Sequence, residues 1–99
     1  MDTGRQTLGT SERKFFDAVY SQNCPAIRAI VKRDKINPNI PDMRTAEHTT
    51  ALLYACENEL IDLARALLKL KPIAADVNKD NKHGRRPIWY DLFILLIIF

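Results

Sequence analysis

The sequence has few of the residues on which metal centres and disulfide frameworks depend. Of its 99 residues, two are cysteine and two are histidine. Cys24 and Cys56 are expected to be reduced, with Cys56 buried, because so few cysteines are typical of an intracellular protein. His48 and His83 have no acidic or cysteine partner at ligand spacing, which favours solvated loop histidines. The sequence therefore predicts no metal site and no cofactor.

Long apolar runs are also scarce. Residues 1–10 contain none, so no signal peptide is predicted and this segment is expected to be a disordered lead-in. The run over residues 92–99 has eight apolar residues. A helix that spans a membrane needs roughly 20. A cytoplasmic location is therefore expected.

Sequence motifs of catalysis are missing as well. No arrangement of Ser, His and Asp resembles a triad, and there is no G-x-x-x-x-G-K phosphate loop. Glu57, Glu59 and Asp62 fall on a predicted turn between helices and are interpreted as a solvated surface. No enzymatic activity is predicted.

What the sequence does contain is an internal repeat. Residues 15–32 align with residues 52–69 at a constant offset of 37 residues. Four pairs are identical, namely Ala18 and Ala55, Arg28 and Arg65, Ala29 and Ala66, and Lys32 and Lys69. Such a period is typical of stacked supersecondary units that cannot bury their apolar faces alone. Proteins of this kind bind more often than they catalyse.

In the first unit, the apolar spacing predicts two helices. Ser11 is a plausible N-cap for a helix over residues 12–20. Pro25 is expected in the first turn of a second helix, which the turn-forming residues 37–42 would end. The buried stripe of that second helix is expected to consist of Ala26, Ile27, Ile30 and Val31.

The second unit repeats this plan. Thr49 or Thr50 can cap a helix over residues 51–56, and Asp62 is expected in or just before the first turn of a helix over residues 63–70. Small residues are expected where two helices approach closely, at Ala18, Ala29, Ala55, Ala64 and Ala66. Strands are limited to hairpin-like loops at most.

Four motifs in and after the second unit resemble those of a known family. Residues 50–56 read T-A-L-L-Y-A-C, similar to the ankyrin phrase T-P-L-H-x-A-A, and residues 63–68 resemble V-V-x-x-L-L. Residues 75–78 are similar to A-D-V-N, and residues 84–89, G-R-R-P-I-W, resemble the G-x-T-P-L-H that opens a further unit. An ankyrin repeat has about 33 residues. The units of this chain are longer than that, and their extra residues fall in connecting segments, where insertions cost the least stability.

The resemblance to ankyrin-repeat proteins covers about residues 12–90. It implies an all-α solenoid of stacked helix-turn-helix units with hairpin-like loops, truncated at its C-terminal end. One domain is expected over residues 11–90, before an apolar tail over residues 91–99. Its repeats are expected at about residues 11–41, 42–78 and, as a partial unit, 79–90.

The resemblance also implies a mode of binding. Ankyrin proteins bind partners through their hairpin tips and the exposed positions of the first helices, which form a concave face. Carried over by position, the expected contact residues are Tyr20, Ser21, Met43, Arg44, Glu57, Asn58, Lys82, His83 and Arg85. Two alternatives stay open, since Tyr20 could pack against the lead-in and Met43 could fill a loop cavity. A non-catalytic interaction module with a protein partner is expected, and the partner's identity is left open.

The loop before Pro87 carries a basic run, made of Lys79, Lys82, His83, Arg85 and Arg86. The run could suit nucleic acid or an anionic membrane surface. Asp80 and two asparagines interrupt it, and no aromatic residue lies among the charges, which disfavours both. A charged hairpin tip is the preferred interpretation. An acidic protein partner would suit the same charges.

The apolar residues 92–99 depart from the ankyrin pattern. They are interpreted as the end of a truncated or alternatively spliced product, with a tail anchor or an improvised cap as the alternatives. A membrane contact is considered for these residues alone. The second hypothesis for the whole chain is a cytoplasmic N-terminal fragment of a larger membrane protein, such as a cation channel of the transient receptor potential type. Sequence beyond Phe99 would discriminate between the two.

Overall fold

The computed structural model describes residues 9–87. Four α-helices lie in this range, α1 (Thr10–Tyr20), α2 (Cys24–Asp34), α3 (Ala51–Glu57) and α4 (Ile61–Leu68). No extended strand occurs within residues 9–87, where β-pairing is limited to one isolated bridge. The expected all-α class is confirmed for this part of the chain. Most of the expected lead-in and all of the apolar tail lie outside the described residues.

The four helices form two helix-turn-helix units. α1 packs on α2 and α3 packs on α4, with connections formed by residues 21–23 and 58–60. Connections this short force each pair of helices to lie alongside one another. α2 also contacts α4, so the second helices of the two units lie side by side.

The turns inside the two units have the same backbone geometry. Gln22 and Glu59, which are 37 residues apart, both adopt left-handed conformations, with φ of 57° and 56°. The amide that follows each of them donates to a carbonyl of the first helix, that of Ala18 in one unit and Ala55 in the other, at 2.9 Å. The repeat seen in the sequence is therefore also a repeat of backbone conformation.

α1 begins earlier than the sequence predicted. The helix starts at Thr10 after an extended Gly9, so Ser11 lies inside the first turn and is not the N-cap. The Ser11 side chain instead lies beside the carboxylate of Asp34 at the end of α2 and, after Arg33, helps to lower the pKa of that carboxyl. This approach between the two helices of the first unit joins residues 23 positions apart, which local sequence does not reveal.

The cap and first-turn residues predicted for the other helices agree with the structure. Pro25 lies in the first turn of α2, and Asp62 lies in the first turn of α4. Thr50 is the N-cap of α3, since its side-chain oxygen accepts a hydrogen bond from the Leu53 amide at 3.3 Å. This satisfies one of the amides that a helix start leaves without a partner.

The position of α4 differs from the prediction by two residues at each end. The helix begins at Ile61 and ends at Leu68. At its end, the carbonyl of Leu67 accepts hydrogen bonds from the amides of Leu70 and Ala75, at 3.4 and 3.1 Å. These two amides belong to the segment that follows α4. They satisfy a carbonyl of the last helical turn, although the helix itself does not continue.

One apolar core extends through both units. Its largest fully buried aliphatic and aromatic side chains are Phe15, Phe16, Val19, Ile27, Val31, Leu52, Leu53, Leu63 and Leu67. Burying a side chain of this size contributes roughly 1.5–3 kcal/mol relative to leaving it exposed. In α2 the predicted stripe is buried at Ile27 and Val31, while Ala26 and Ile30 are half-buried against the core.

The small residues expected at close helix contacts divide into two groups. Ala18, Ala55 and Ala64 are buried, as expected. Ala66 is half-buried and Ala29 is exposed, so the prediction for Ala29 is wrong. Ala29 lies two residues after a buried position of α2, which turns it about 200° around the helix to the solvent side.

The two cysteines are both free. Cys56 is buried in α3, and Cys24 at the start of α2 is partly exposed. Burial, with a smaller contribution from the charge of Glu57, raises the pKa of the Cys56 thiol to about 12. The Cys56 thiol therefore stays protonated at neutral pH and behaves as a small apolar side chain.

Candidate functional site

The loop between α2 and α3 contains a hairpin, residues 42–49, called hairpin 1 below. Asp42 and Thr49 pair across it, with the Asp42 amide donating to the Thr49 carbonyl at 2.7 Å. His48 adopts a left-handed conformation, with φ of 53°, next to this pair. Met43 is half-buried, and Arg44 is exposed on the hairpin.

The loop after α4 contains a second hairpin, residues 81–85, called hairpin 2. The Asn81 amide donates to the Arg85 carbonyl at 2.9 Å, and the Asn81 side-chain oxygen accepts from the amides of His83 and Arg85, at 2.8 and 3.0 Å. Gly84 has φ of 78°, a conformation that glycine adopts without steric strain. These bonds leave the side chains of Lys82, His83 and Arg85 exposed.

The two hairpins lie side by side. The Lys82 amide of hairpin 2 donates to the Glu47 carbonyl of hairpin 1 at 2.8 Å. Behind the hairpins, the Asn39 side chain donates to the Ala74 carbonyl at 3.1 Å and accepts from the Asp76 amide at 2.6 Å. The tips therefore form one continuous surface, called the hairpin-tip surface below, which consists of Met43, Arg44, Lys82, His83 and Arg85.

The end of each first helix contacts the hairpin that follows its unit. Tyr20 at the end of α1 donates its hydroxyl to the Asp42 carboxylate of hairpin 1 at 2.6 Å. Glu57 at the end of α3 forms an ion pair with Arg85 of hairpin 2 at 3.8 Å. Tyr20 and Glu57 are 37 residues apart, so equivalent positions make the equivalent contact by different chemistry.

Asp42 is the acceptor at the centre of a buried polar cluster. Its side chain is 1% exposed and accepts from Arg44 Nε at 2.9 Å and Nη2 at 3.1 Å, besides the Tyr20 hydroxyl. Arg44 also lies 3.9 Å from the carboxylate of Asp17 in α1. The Tyr20 ring packs edge-on against Tyr54 of α3, with 4.9 Å between ring centroids. The cluster thus joins α1, hairpin 1 and α3.

The pKa values of this cluster follow from its geometry. Burial alone would raise the pKa of Asp42, but hydrogen bonds from Arg44 and Tyr20 outweigh it and hold the pKa of Asp42 below its ordinary value. Burial, and then the hydrogen bond to Asp42, raise the pKa of Tyr20 above its ordinary value. At neutral pH the carboxylate is charged and the phenol is neutral.

Stability should depend on pH in two windows. The lowered pKa of Asp42 stabilises the fold above its unfolded pKa of about 4, and this contribution disappears as pH falls through the folded value. The raised pKa of Tyr20 stabilises the fold below its unfolded pKa of about 10, and this contribution disappears as pH rises through the folded value. Urea denaturation at pH values below about 4 and above about 10 measures both losses of unfolding free energy.

Tyr20→Phe is the control for the alkaline window, because it removes the phenol while Cys56 titrates in both proteins. The loss of unfolding free energy above about pH 10 should be smaller in Tyr20→Phe than in the wild type. An identical alkaline loss in the two proteins would contradict a raised pKa of Tyr20 in the folded state.

Two of the predicted contact residues have side chains that bond back to their own helix. Ser21 Oγ donates to the carbonyl of Asp17 at 2.9 Å, and Asn58 Nδ2 donates to the carbonyl of Tyr54 at 2.8 Å. The donors, like the acceptors, are 37 residues apart. Both side chains are exposed at the C-terminal ends of the first helices, beside the connections within each unit.

Three residues of the site were not anticipated from the sequence. Asp17 and Tyr54 are equivalent at the 37-residue offset, so the repeat alignment could have placed both on the side that faces the hairpins. Asp42 follows Pro41 and was interpreted as an ordinary turn residue. Its burial depends on Tyr20, 22 residues earlier in the chain, and no local signal marks it.

Within residues 9–87, no group of three or more His, Cys, Asp or Glu side chains is arranged to hold a metal ion. In the same range, no helix combines the length and the hydropathy needed to cross a membrane. His48 is half-buried beside the pairing of hairpin 1, and His83 is exposed on hairpin 2.

No protein-family model, curated protein or solved structure matches this chain. The internal repeat, the two hairpins and the charges on them are therefore the observations from which its function is inferred.

Proposed function

We propose that this chain is a repeat protein of the ankyrin type and that it acts in the cytoplasm as a non-catalytic module that binds a protein partner. The observation that carries the proposal is the hydrogen bond from the Lys82 amide to the Glu47 carbonyl, which sets the two hairpins side by side. The hairpin tips and the adjoining ends of the first helices then offer one continuous surface for a partner.

The family assignment is supported by the positions at which the two hairpins match. His48 of hairpin 1 and Gly84 of hairpin 2 both have positive φ, and they are 36 residues apart, as are Thr49 and Arg85, whose carbonyls accept the closing bonds. The hydroxyl of Thr50, the first residue of the T-A-L-L-Y-A-C phrase, caps the helix that follows. In both hairpins, a residue with positive φ therefore comes directly before the residue whose carbonyl accepts the closing bond.

The charges of the hairpin-tip surface favour an acidic partner. Arg44 forms a salt bridge with Asp42, and Arg85 forms a salt bridge with Glu57. Lys82 and His83 are exposed, and within the described residues neither forms a salt bridge with a carboxylate. Opposite charge on a partner would steer association and fix its orientation at this surface.

Reversing charge on hairpin 2 tests the proposal. The variant Lys82→Glu, Arg85→Glu should lose the proteins that the wild type retains from a cell lysate, because two cations at the proposed contact become anions. Arg13→Glu, Lys14→Glu is the matched control, since it makes the same charge change at exposed positions of α1. The measurement is affinity capture followed by mass spectrometry.

Circular dichroism should show the same helix content in the wild type and both variants, because all four substituted side chains are exposed. If the hairpin variant retains the same proteins as the control, the hairpin-tip surface is not the binding site.

A further inference from the structure

A groove lies where the ends of α2 and α4 meet the loop that follows α4, and it is called the back-face groove below. It consists of two adjoining cavities of about 450 and 350 Å³. The larger cavity is lined by Arg28, Lys32, Lys69, Leu70, Lys71 and Pro72. The smaller cavity shares Lys32, Lys71 and Pro72 with it and also reaches Lys35, Ile36 and Ile73.

Among the described residues that line the back-face groove, every charged side chain is a cation. These cations are Arg28, Lys32, Lys35, Lys69 and Lys71, and all of them are exposed. Among the described residues, no carboxylate lines either cavity, and none forms a salt bridge with these five side chains. A cleft lined by one sign of charge concentrates ligands of the opposite sign.

The two-unit architecture places these cations together. Lys32 and Lys69 are equivalent at the 37-residue offset, and α2 lies against α4, so successive units add a lysine to the same side of the molecule. Lys35 and Lys71 then extend the row past the ends of the two helices. Exposed lysines contribute nothing to core packing, so the stacking of the units does not by itself require them.

The back-face groove also offers apolar contact. Ile73 is a large apolar residue that is 50% exposed to solvent. It lines the same cavity as Pro72, next to the buried Leu70 and Ile36. A ligand that suits this site therefore carries both negative charge and an aliphatic side chain.

We propose that the back-face groove binds an acidic peptide segment of a partner protein, with carboxylates facing the lysines and an aliphatic side chain against Ile73. A single-stranded nucleic acid is less suitable, since none of the described lining residues is aromatic and bases bind such clefts by stacking on aromatic rings. An anionic membrane could satisfy the lysines alone, but a bilayer surface does not enter a concave cleft as a peptide side chain does.

The test uses a fluorescein-labelled peptide of repeating Glu-Glu-Leu and measures fluorescence anisotropy. The wild type should bind this peptide, and binding should weaken as salt is added. A triple variant should weaken binding about tenfold or more, namely Lys32→Glu, Lys69→Glu, Lys71→Glu. Its three carboxylates would repel the peptide at positions where the wild-type lysines attract it. The matched control, Arg13→Glu, Lys14→Glu, Lys79→Glu, makes the same charge change at exposed positions outside the groove and should stay within about twofold of the wild type.

Two probes separate the apolar and charged contributions on a chain whose groove cations are intact. Ile73→Ser should weaken binding of the Glu-Glu-Leu peptide, and a Gln-Gln-Leu peptide should fail to bind the wild type. Equal losses in the groove variant and its control would overturn the proposal. So would tighter binding of phosphatidylserine vesicles or of a single-stranded oligonucleotide than of the peptide, since either would assign the groove to a different class of ligand.

Discussion

Replacing Asp42 with alanine is expected to lower the free energy of unfolding by about 1–3 kcal/mol. The wild-type carboxylate is buried and accepts hydrogen bonds from the Tyr20 hydroxyl and from two nitrogens of the Arg44 side chain. Alanine would leave a half-buried phenol and a guanidinium without their acceptor. The cost of an unpaired donor is larger than the gain from a satisfied one, which makes this effect large.

Asp42→Asn is the matched control, because asparagine keeps the size of the side chain and one oxygen acceptor but loses the charge. We expect it to fall between the wild type and Asp42→Ala. Chemical denaturation monitored by circular dichroism measures all three proteins. If Asp42→Ala unfolds at the wild-type denaturant concentration, the cluster of Tyr20, Asp42 and Arg44 does not hold hairpin 1 against α1.

Replacing Ala55 with leucine is expected to lower the free energy of unfolding by about 1–3 kcal/mol. Ala55 is fully buried in α3, and its carbonyl accepts the Leu60 amide of the turn to α4. Three extra carbon atoms at this position would force the closely packed helices apart. The equivalent residue Ala18 is also a buried alanine, so both units use a small side chain where the turn closes.

Ala29→Leu is the matched control for Ala55→Leu. It makes the same substitution in a helix, but Ala29 is exposed, so its effect should stay within about 0.5 kcal/mol. Equal midpoints for the two variants in urea denaturation would contradict the packing of α3 in the core.

The features that the sequence predicted depend on local spacing. Apolar residues at helical intervals, Pro25 in a first turn and Thr50 as an N-cap are properties of short segments, and they indicated the four helices. Ser11 was wrongly predicted as an N-cap because α1 begins before it and its side chain lies beside Asp34 of another helix. The end of α4 was misjudged because the Leu67 carbonyl is satisfied by the Ala75 amide, which returns from the next loop.

The sequence predicted the candidate sites to different degrees, because contacts between segments that are distant along the chain leave no local pattern. The positions of the hairpin-tip surface came from a family resemblance that orders residues along each repeat. The buried Asp42 was missed because its partner Tyr20 belongs to a different helix. The back-face groove was missed because its cations lie between residues 28 and 71 and meet through the packing of α2 against α4. No local pattern records that packing.

The proposed function requires that the two hairpins lie side by side and form one binding surface. Residue-resolved hydrogen–deuterium exchange of the Lys82 amide measures this arrangement, because the amide donates to Glu47 of the other hairpin. We expect it to exchange as slowly as the amides of Asp42 and Asn81, which close the individual hairpins. Exchange of Lys82 at the rate of an unstructured peptide, with Asp42 and Asn81 still protected, would show that the hairpins form separately and would contradict a continuous surface.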